Sequence, residues 1–589
     1  MKELRYLNKY FVKYKYRLLL GIVITIFAKI FSLFTPRLIS KSINVVDDFL
    51  KGTVTDIGYV KTQLLINILY IIGAALVAGI FTFLMRQTII NVSRYVEYDL
   101  KNEVYQQYQR LSLSFYKSNR TGDLMNRISE DVSRVREYMG PAIMYSLNMI
   151  TLFVVALIYM FSVAPKLTIY VVIPLPILSI VIYKLSRIIN HKSTIVQQYL
   201  SKLSAFTQES FSGISVIKSY GIEGQNYDAF YALSNDSKQK QIDLTKIQAL
   251  FFPSMILLIG ISNLLVIYIG GTQYISGEIK DIGTIAEFLI YVNMLTWPVA
   301  AVGWVTSLVQ RAEASQKRIN EFLKVEPEIK NKVETHQAIE GNIAFKNVSF
   351  TYPDTNIQAL KDVSFSIKKG ETLAILGKTG SGKSTVLDLI GRMYDIKSGS
   401  ITIDDKPIDM VNLDDLRNGI GYVPQDAFLF SDSIKNNIRF GKEDATEDEV
   451  VEAAKNADVH KNIKGFTKGY ETKLGERGIT LSGGQKQRIS IARAIIKSPK
   501  ILLFDDCLSA VDTETEEKIL KNLNKISKGK TTVIVSHRIS SAKNADHIIV
   551  LDEGKIVQSG THDSLLNVDG YYKELYNNQL TESPEDTLP

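Results

Sequence analysis

Nine consecutive residues, Gly377-Lys378-Thr379-Gly380-Ser381-Gly382-Lys383-Ser384-Thr385, have the types and spacing to hold a row of phosphates. The pattern G-x-x-x-x-G-K-[ST] becomes a site when it joins a strand to a helix. Here it follows the apolar run from Thr372 to Leu376 and opens the helix-like run from Val386 to Ile390. The glycines let backbone N–H groups turn inward on the α- and β-phosphates, and the dipole of the following helix adds positive potential. Lys383 is placed for the β- and γ-phosphates and the Ser384 hydroxyl for Mg²⁺. These residues predict a nucleoside triphosphate site.

Further chemistry follows in chain order. Tyr352, in Phe350-Thr351-Tyr352-Pro353, offers a ring for an adenine to stack on, although a surface tyrosine alone is common. Gln425, in Tyr422-Val423-Pro424-Gln425, ends a strand-like run within reach of Mg²⁺ or an attacking water. Ser482, Gly483, Gly484 and Gln485 open a helix-like run, giving a hydroxyl, free N–H groups and a helix N-terminus for a second anion site. The run Ile501-Leu502-Leu503-Phe504-Asp505-Asp506 reads as a buried strand ending in two carboxylates. Asp505 suits Mg²⁺ and Asp506 suits a general base acting on water. His537, after Val535-Ser536, is placed to touch a γ-phosphate; alone it reads as a loop histidine.

Elements must hold these groups. From Gly341 onward the chain has short β-rich runs at Ile343–Phe350, Leu373–Leu376, Ser400–Ile403, Ile501–Phe504, Thr532–Val535 and His547–Leu551. Helical stretches separate several of them, which predicts a mainly parallel α/β sheet with some antiparallel edge. The first half differs. Six segments, near 17–37, 61–85, 141–163, 166–185, 249–270 and 283–305, are each about the 20 apolar residues a bilayer span takes. Lys2, Arg5, Lys9, Lys13, Lys15 and Arg17 precede the first, and Lys/Arg-rich stretches follow the second and fourth. The 38–60 stretch has only Lys41 and Lys51, and 271–282 only Lys280, so both termini and the nucleotide site are expected on the cytoplasmic side.

The 86–140 and 186–248 stretches are charged, helix-forming and almost free of proline, so the spanning helices are expected to run on into the cytoplasm. Ser114–Ser118 and Phe211–Ile214 are expected as short segments across the hairpin tips, either solvated loops or docking surfaces. Lys29, mid-span, either snorkels or faces a cavity, and Glu287 lies near the outer end of the sixth span. One or both are expected to line a central pathway. Pro174, Pro176 and Trp297-Pro298 read as kinks. The expected divisions are an elbow at 1–16, a transmembrane domain at 17–325, a linker at 326–340, a nucleotide-binding domain at 341–580 and a disordered tail at 581–589. Cys507 is the only cysteine, which excludes an intrachain disulfide and a Cys-based zinc site. The formal charge of +8 follows loop position and so points to a membrane surface, with no nucleic-acid partner expected. No cleavable signal is expected in the basic start, Met1–Arg17.

Taken together, the phosphate loop, Gln425, the Leu481–Gln485 signature, the Asp505 strand, Ser509-Ala510-Val511-Asp512 and His537 occur in the order found in ATP-binding cassette transporters. With six preceding spans, the whole chain resembles a half-transporter of the exporter type, similar to bacterial multidrug exporters and lipid flippases. The resemblance implies a six-helix all-α transmembrane domain with long cytoplasmic helical extensions, followed by an α/β P-loop nucleotide-binding domain. It implies ATP and Mg²⁺ as cofactors and a dimer of two halves. Each ATP would lie between one half's Lys383 loop and the other's Ser482-Gly483-Gly484. Thr472–Gly478 resembles the exporter loop that touches the membrane domain.

One position departs from the family pattern. Glutamate usually follows the strand's first aspartate; here Asp506 is one methylene shorter, and a 1 Å misplacement costs about 100-fold in rate. A good signature beside a weakened base resembles one half of a heterodimeric exporter, which is favoured here; the retained His537 argues for a homodimer. A regulatory half that binds ATP without productive hydrolysis is the third reading. The expected partners are a second half-transporter, membrane lipid and a hydrophobic small molecule, lipid or peptide as cargo, and the expected location is a bacterial inner membrane. A soluble cassette ATPase would not carry six spans, and an importer would keep its permease on a separate chain.

Overall fold

The computed structural model describes residues 2–475, 478–508 and 513–581. The chain divides into two compact units: Met1–Tyr108 with Gly122–Lys324, and Gln109–Thr121 with Val325–Pro589.

The first unit is helical. Five runs among the described residues are long and apolar enough to cross a membrane: Lys15–Leu50, Ile57–Arg110, Thr121–Val163, Glu223–Ile275 and Gly283–Leu323. The span expected near 166–185 is divided instead, into helices Pro165–Val172 and Pro174–Ser212. Pro174 has no N–H to continue the ladder and its ring crowds the turn before it, so the run breaks at Ile173. Together the pair covers the fourth of the six expected segments. By contrast Pro298, and Pro36 in the first span, sit inside continuous helices. The long helices continue well past the apolar stretches, and Gly213 separates Pro174–Ser212 from the short helix Ile214–Tyr220.

Polar ties fix this bundle where sequence distance is largest. Before the first span, a turn at Glu3–Leu7 and a helix at Asn8–Lys13 lie against the far part of helix Ile57–Arg110. Lys13 Nζ is 2.6 Å from Asp99 Oδ2, Tyr14 donates to the same oxygen at 2.9 Å, and Lys9, Tyr6 and Tyr10 all donate to Glu103. Arg318 grips both carboxylate oxygens of buried Asp131. Glu287 is 3% exposed and accepts a hydrogen bond from Tyr291 at 2.9 Å, so in this conformation it faces packed helices and not an open pathway. Lys29 is half-buried.

The second unit contains two sheets. Strands β1 (Ile343–Thr351), β2 (Gln358–Ile367), β4 (Ser398–Ile403) and β5 (Lys406–Pro407) form an antiparallel sheet ordered β2-β1-β4-β5. Strands β3 (Thr372–Gly377), β6 (Ile420–Val423), β7 (Ile501–Asp505), β8 (Thr531–Val535), β9 (His547–Asp552) and β10 (Lys555–Gly560) form the other, ordered β10-β9-β3-β8-β7-β6. All its pairings are parallel except the β10 edge. The antiparallel component is thus mostly a separate sheet. Strands β7 and β8 are buried along their whole length, as continuous apolar runs in a covered parallel sheet must be.

Candidate functional site

The site forms at the carboxyl edge of the six-stranded sheet, where loops leaving parallel strands converge. β3 ends at Gly377, β7 at Asp505, and β8 runs into Ser536 and His537. In register, Gly377 stands beside Leu551 and Asp505 beside Val535. Sequence positions far apart therefore meet at one sheet edge.

The loop after β3 is shaped by three glycines, each for its own reason. A Cβ on Gly377 would lie 2.1 Å from Leu551 O, and one on Gly382 would lie 2.3 Å from Ala359 O. Gly380 has φ +83° and open space around the position a Cβ would take. Helix Lys383–Ile390 starts directly after Gly382, so its N-terminus faces the loop. Lys383 is buried, and its ammonium donates to the carbonyls of Gly377 at 2.9 Å and Lys378 at 2.8 Å. Burial pulls its pKa down, against the pull of Asp506 and Asp505. The Ser381 hydroxyl, inside the same loop, is buried with no hydrogen-bond partner among the described residues. A glycine cradle, a retracted lysine and an orphaned hydroxyl fit a triphosphate chain, whose oxygens would satisfy the last two.

Around this loop lies a cavity of about 610 Å³. Its lining includes Thr379, Gly380, Gly382, Lys383, Ser384 and Thr385 from the loop and helix, and Tyr352, Gln425, Asp505, Asp506 and His537 from elsewhere. Ser384 donates to Asp505 Oδ1 at 2.9 Å, which places a hydroxyl and a carboxylate side by side. Among the described residues no three His, Cys, Asp or Glu side chains cluster as a self-sufficient metal site. Ser384, Asp505 and Gln425 would hold a Mg²⁺, whose preference for oxygen ligands suits a hydroxyl, a carboxylate and an amide oxygen. Burial raises the pKa of Asp505, and the neighbouring Asp506 adds to the rise.

Asp506 stands at φ 41°, in the left-handed region, with its N–H on Val535 O at 2.9 Å. Burial raises its pKa while the nearby His537 and Lys383 lower it. Burial and the Lys383 cation together hold His537 below its ordinary value, so the imidazole is neutral near pH 7. The carbonyl of His537 and the N–H of Ile539 are both bonded by the side chain of Gln579, at 2.9 Å each. Glu516, fully buried, accepts from Arg538, Ser540 and Ser541 and so holds the segment just after His537.

Tyr352 donates to or accepts from Thr385 Oγ1 at 2.9 Å, which fixes its ring against the helix that follows the loop. A group missed by sequence reasoning stands over that ring. Lys117, from the short helix Leu113–Ser118, lines the cavity with its ammonium 4.8 Å from the Tyr352 centroid and 5.2 Å from that of Tyr394. The same segment is tied to Glu328 through Ser114. Nothing local marks Lys117 as a nucleotide-site residue; its placement depends on where a distant segment packs.

The signature residues are not in this cavity. Ser482 caps helix Gly483–Ile496, accepting from Gln485 N at 3.3 Å while Gln485 Oε1 accepts from Ser482 N at 3.1 Å. Ser482 and Gly483 are exposed, leaving that helix N-terminus open to an anion from outside the chain. Glu476 and Arg477 of the Thr472–Gly478 loop, and all of Ser509–Asp512, lie outside the described residues, as does 582–589 of the tail.

The family described as ABC transporter transmembrane region matches residues 18–299, and the one described as ABC transporter matches 360–509. The probable multidrug resistance ABC transporter ATP-binding/permease protein YheI of Bacillus subtilis is 37% identical over 588 residues, 99% of this chain and 98% of that protein. The multidrug resistance-like ATP-binding protein MdlA of Escherichia coli is 36% identical over 537 residues, 91% of each chain. A solved bacterial Atm1-family ABC exporter with ATP bound superposes with a TM-score of 0.78 at 26% identity, covering 96% of this chain and 99% of the other.

Proposed function

Because the chain belongs to the ATP-binding cassette transporter family, as a half-transporter that couples ATP hydrolysis to transport, we propose that it exports or flips a hydrophobic or amphipathic compound in a two-half assembly whose own Lys383 site turns over slowly. Multidrug-type cargo is supported by the names of its relatives, the multidrug resistance proteins YheI and MdlA. The positive-inside pattern supports both termini in the cytoplasm, and bacterial relatives support a bacterial inner membrane. Of the proposed divisions, the 1–16 elbow and 326–340 linker flank the membrane domain.

In this reading ATP enters the cavity around Lys383, with adenine at Tyr352 and Mg²⁺ at Ser384, Asp505 and Gln425. Lys383 leaves its loop carbonyls for the β- and γ-phosphates. Asp506 takes a proton from water, and His537 holds the γ-phosphate end. Ser482, Gly483, Gly484 and Gln485 serve the site of the opposite half. Closure on ATP turns the transport cavity outward, and hydrolysis resets it.

The single observation that carries the reading is the meeting of the Lys383 loop, the Ser384–Asp505 pair, Asp506 and His537 around one cavity. The aspartate at 506 favours a heterodimer in which the partner's base does most of the hydrolysis. The retained His537 beside it favours a second reading, a homodimer with Asp506 as a working base. ATP turnover by the chain purified alone in lipid separates them, measured beside Asp506→Glu and Lys383→Ala. Slow turnover that Asp506→Glu raises about tenfold or more supports the weakened site. Fast, Lys383-dependent turnover establishes the homodimer. ATP binding with no turnover in either version points to a regulatory half instead.

A further inference from the structure

Between helices Lys15–Leu50 and Ile57–Arg110 lies a groove of about 430 Å³ that the transport reading does not use. Two cross-ties frame it. At one end the Phe31 ring stacks on Phe81 with centroids 5.8 Å apart; at the other Asn67 donates to Ser42 Oγ at 3.1 Å. Between these ties the second helix presents Gly73 and Ala74, and a Cβ built on Gly73 meets no atom within 4 Å. The small side chains leave room that the two helices do not fill.

Polarity changes along the groove. Phe31 and Phe34 line the end near Phe81, while Arg37 and Lys41 line the end near Ser42. Arg37 and Lys41 are four residues apart, hence on one helix face, and the lined stretch from 31 to 41 is about 15 Å long. Among the described residues neither cation has a salt-bridge partner, whereas Lys51 is paired with Asp47 and Lys166 with Glu278. Arg37 is steadied by the Tyr159 ring, 5.6 Å from its centroid, and both cations are exposed.

We propose that this groove binds one anionic phospholipid of the outer leaflet, its acyl chain along Phe34 and Gly73 and its phosphate against Arg37 and Lys41. The proposal rests on the orientation given above and otherwise goes beyond the transport reading. In that orientation the cationic end lies at the outer surface, where headgroups are, and the aromatic end points into the hydrocarbon. An apolar slot opening onto two exposed cations matches the head-to-tail polarity of a lipid. Free phosphate would use the cations but leave the slot empty.

The test uses the full-length protein as its assembled dimer in phosphatidylcholine vesicles with a minor fraction of phosphatidylglycerol. Lipid retained after extraction is counted by native mass spectrometry. Phosphatidylglycerol should be retained in preference to phosphatidylcholine, and Arg37→Gln with Lys41→Gln should lower that retention about tenfold. Gly73→Leu, which fills the slot but keeps both cations, should lower it comparably, while Lys61→Gln should not. Soluble glycerol phosphate should fail to compete. Equal retention in the parent and both groove variants overturns the proposal, as does equal retention of the neutral lipid. Displacement by glycerol phosphate would reduce the site to an anion site. Loss of lipid only where the dimer has come apart would assign the groove to the partner half.

Discussion

Asp388 shows how strongly one residue's chemistry depends on a neighbour that no local pattern reveals. It lies on the helix that follows the phosphate loop, and burial pushes its carboxyl up to about 6, with Lys117 pulling the other way and the Asp505 charge adding to the rise. An unfolded aspartate titrates near 3.9, so the folded value lies above the unfolded one. Its charged form therefore opposes folding. The penalty is absent below about pH 4, grows as pH rises through about 6, and is constant above. Asp388→Asn should stabilise the second unit by about 2 kcal/mol at pH 7.5, with the gain vanishing near pH 4. Thermal unfolding at the two pH values checks it; equal gains at both would show that the effect is packing and not charge. The phosphate loop, by contrast, was fully legible in the sequence because its chemistry is contiguous: strand, glycines, lysine and hydroxyl all lie within Thr372–Ser384. Lys117 was not, because only long-range packing brings it over Tyr352.

At the scale of elements, what a sequence shows depends on whether an element is defined by its own pattern or by its neighbours. The apolar spans were readable by length and composition, and the runs at Leu373–Leu376, Ile501–Phe504 and Thr532–Val535 all lie within strands. The break at Ile173 adjoins Pro174, which reads as a kink in the sequence, whereas the strands Gln358–Ile367 and Lys555–Gly560 were missed. The latter two mix polar and apolar positions, because each has a half-exposed face and owes its place to antiparallel pairing. The elbow before the first span is a clearer case of dependence. Its lysines read as topology signals, yet Lys9, Tyr6 and Tyr10 converge on Glu103 of helix Ile57–Arg110. Burial alone would raise the Glu103 pKa, but these donors outweigh it and hold the carboxyl below its ordinary value. A depressed value means the contribution is present above the unfolded pKa, near 4.3, and is lost as pH falls through the folded one. Glu103→Gln should cost about 1 kcal/mol, unchanged from pH 6 to 8 and disappearing below pH 4, since the site is partly open to solvent. Hydrogen exchange of the 3–14 backbone should rise in the variant over the same range. Unchanged protection would show that the elbow is held by Leu4 and Leu7 packing instead.

At the scale of the whole molecule, the separation of Ser482 from the Lys383 cavity makes a sharp prediction about assembly. Each chain carries a phosphate loop and an open signature helix, and Ser482 and Gly483 are exposed. If two copies pair head to tail, a complete site needs Lys383 from one and Gly483 from the other. Consider a Lys383→Ala chain mixed with a Gly483→Asp chain, each inactive as its own homodimer. In the mixed dimer both defects fall on one site, while the second site has an intact loop from one chain and an intact signature from the other. Such dimers, isolated by two affinity tags, should recover about half the turnover of a parent dimer carrying the same tags, provided the sites act independently. If each chain instead used its own signature, both sites would be damaged and the mixture would stay inactive. The parent rate must come first, because Asp506 sets the ceiling; the Asp506→Glu background supplies a stronger signal if that ceiling is low. Recovery in that background but with a poor parent rate would locate the deficit at the base, leaving the shared-site geometry intact and making a second, differently equipped half the natural partner.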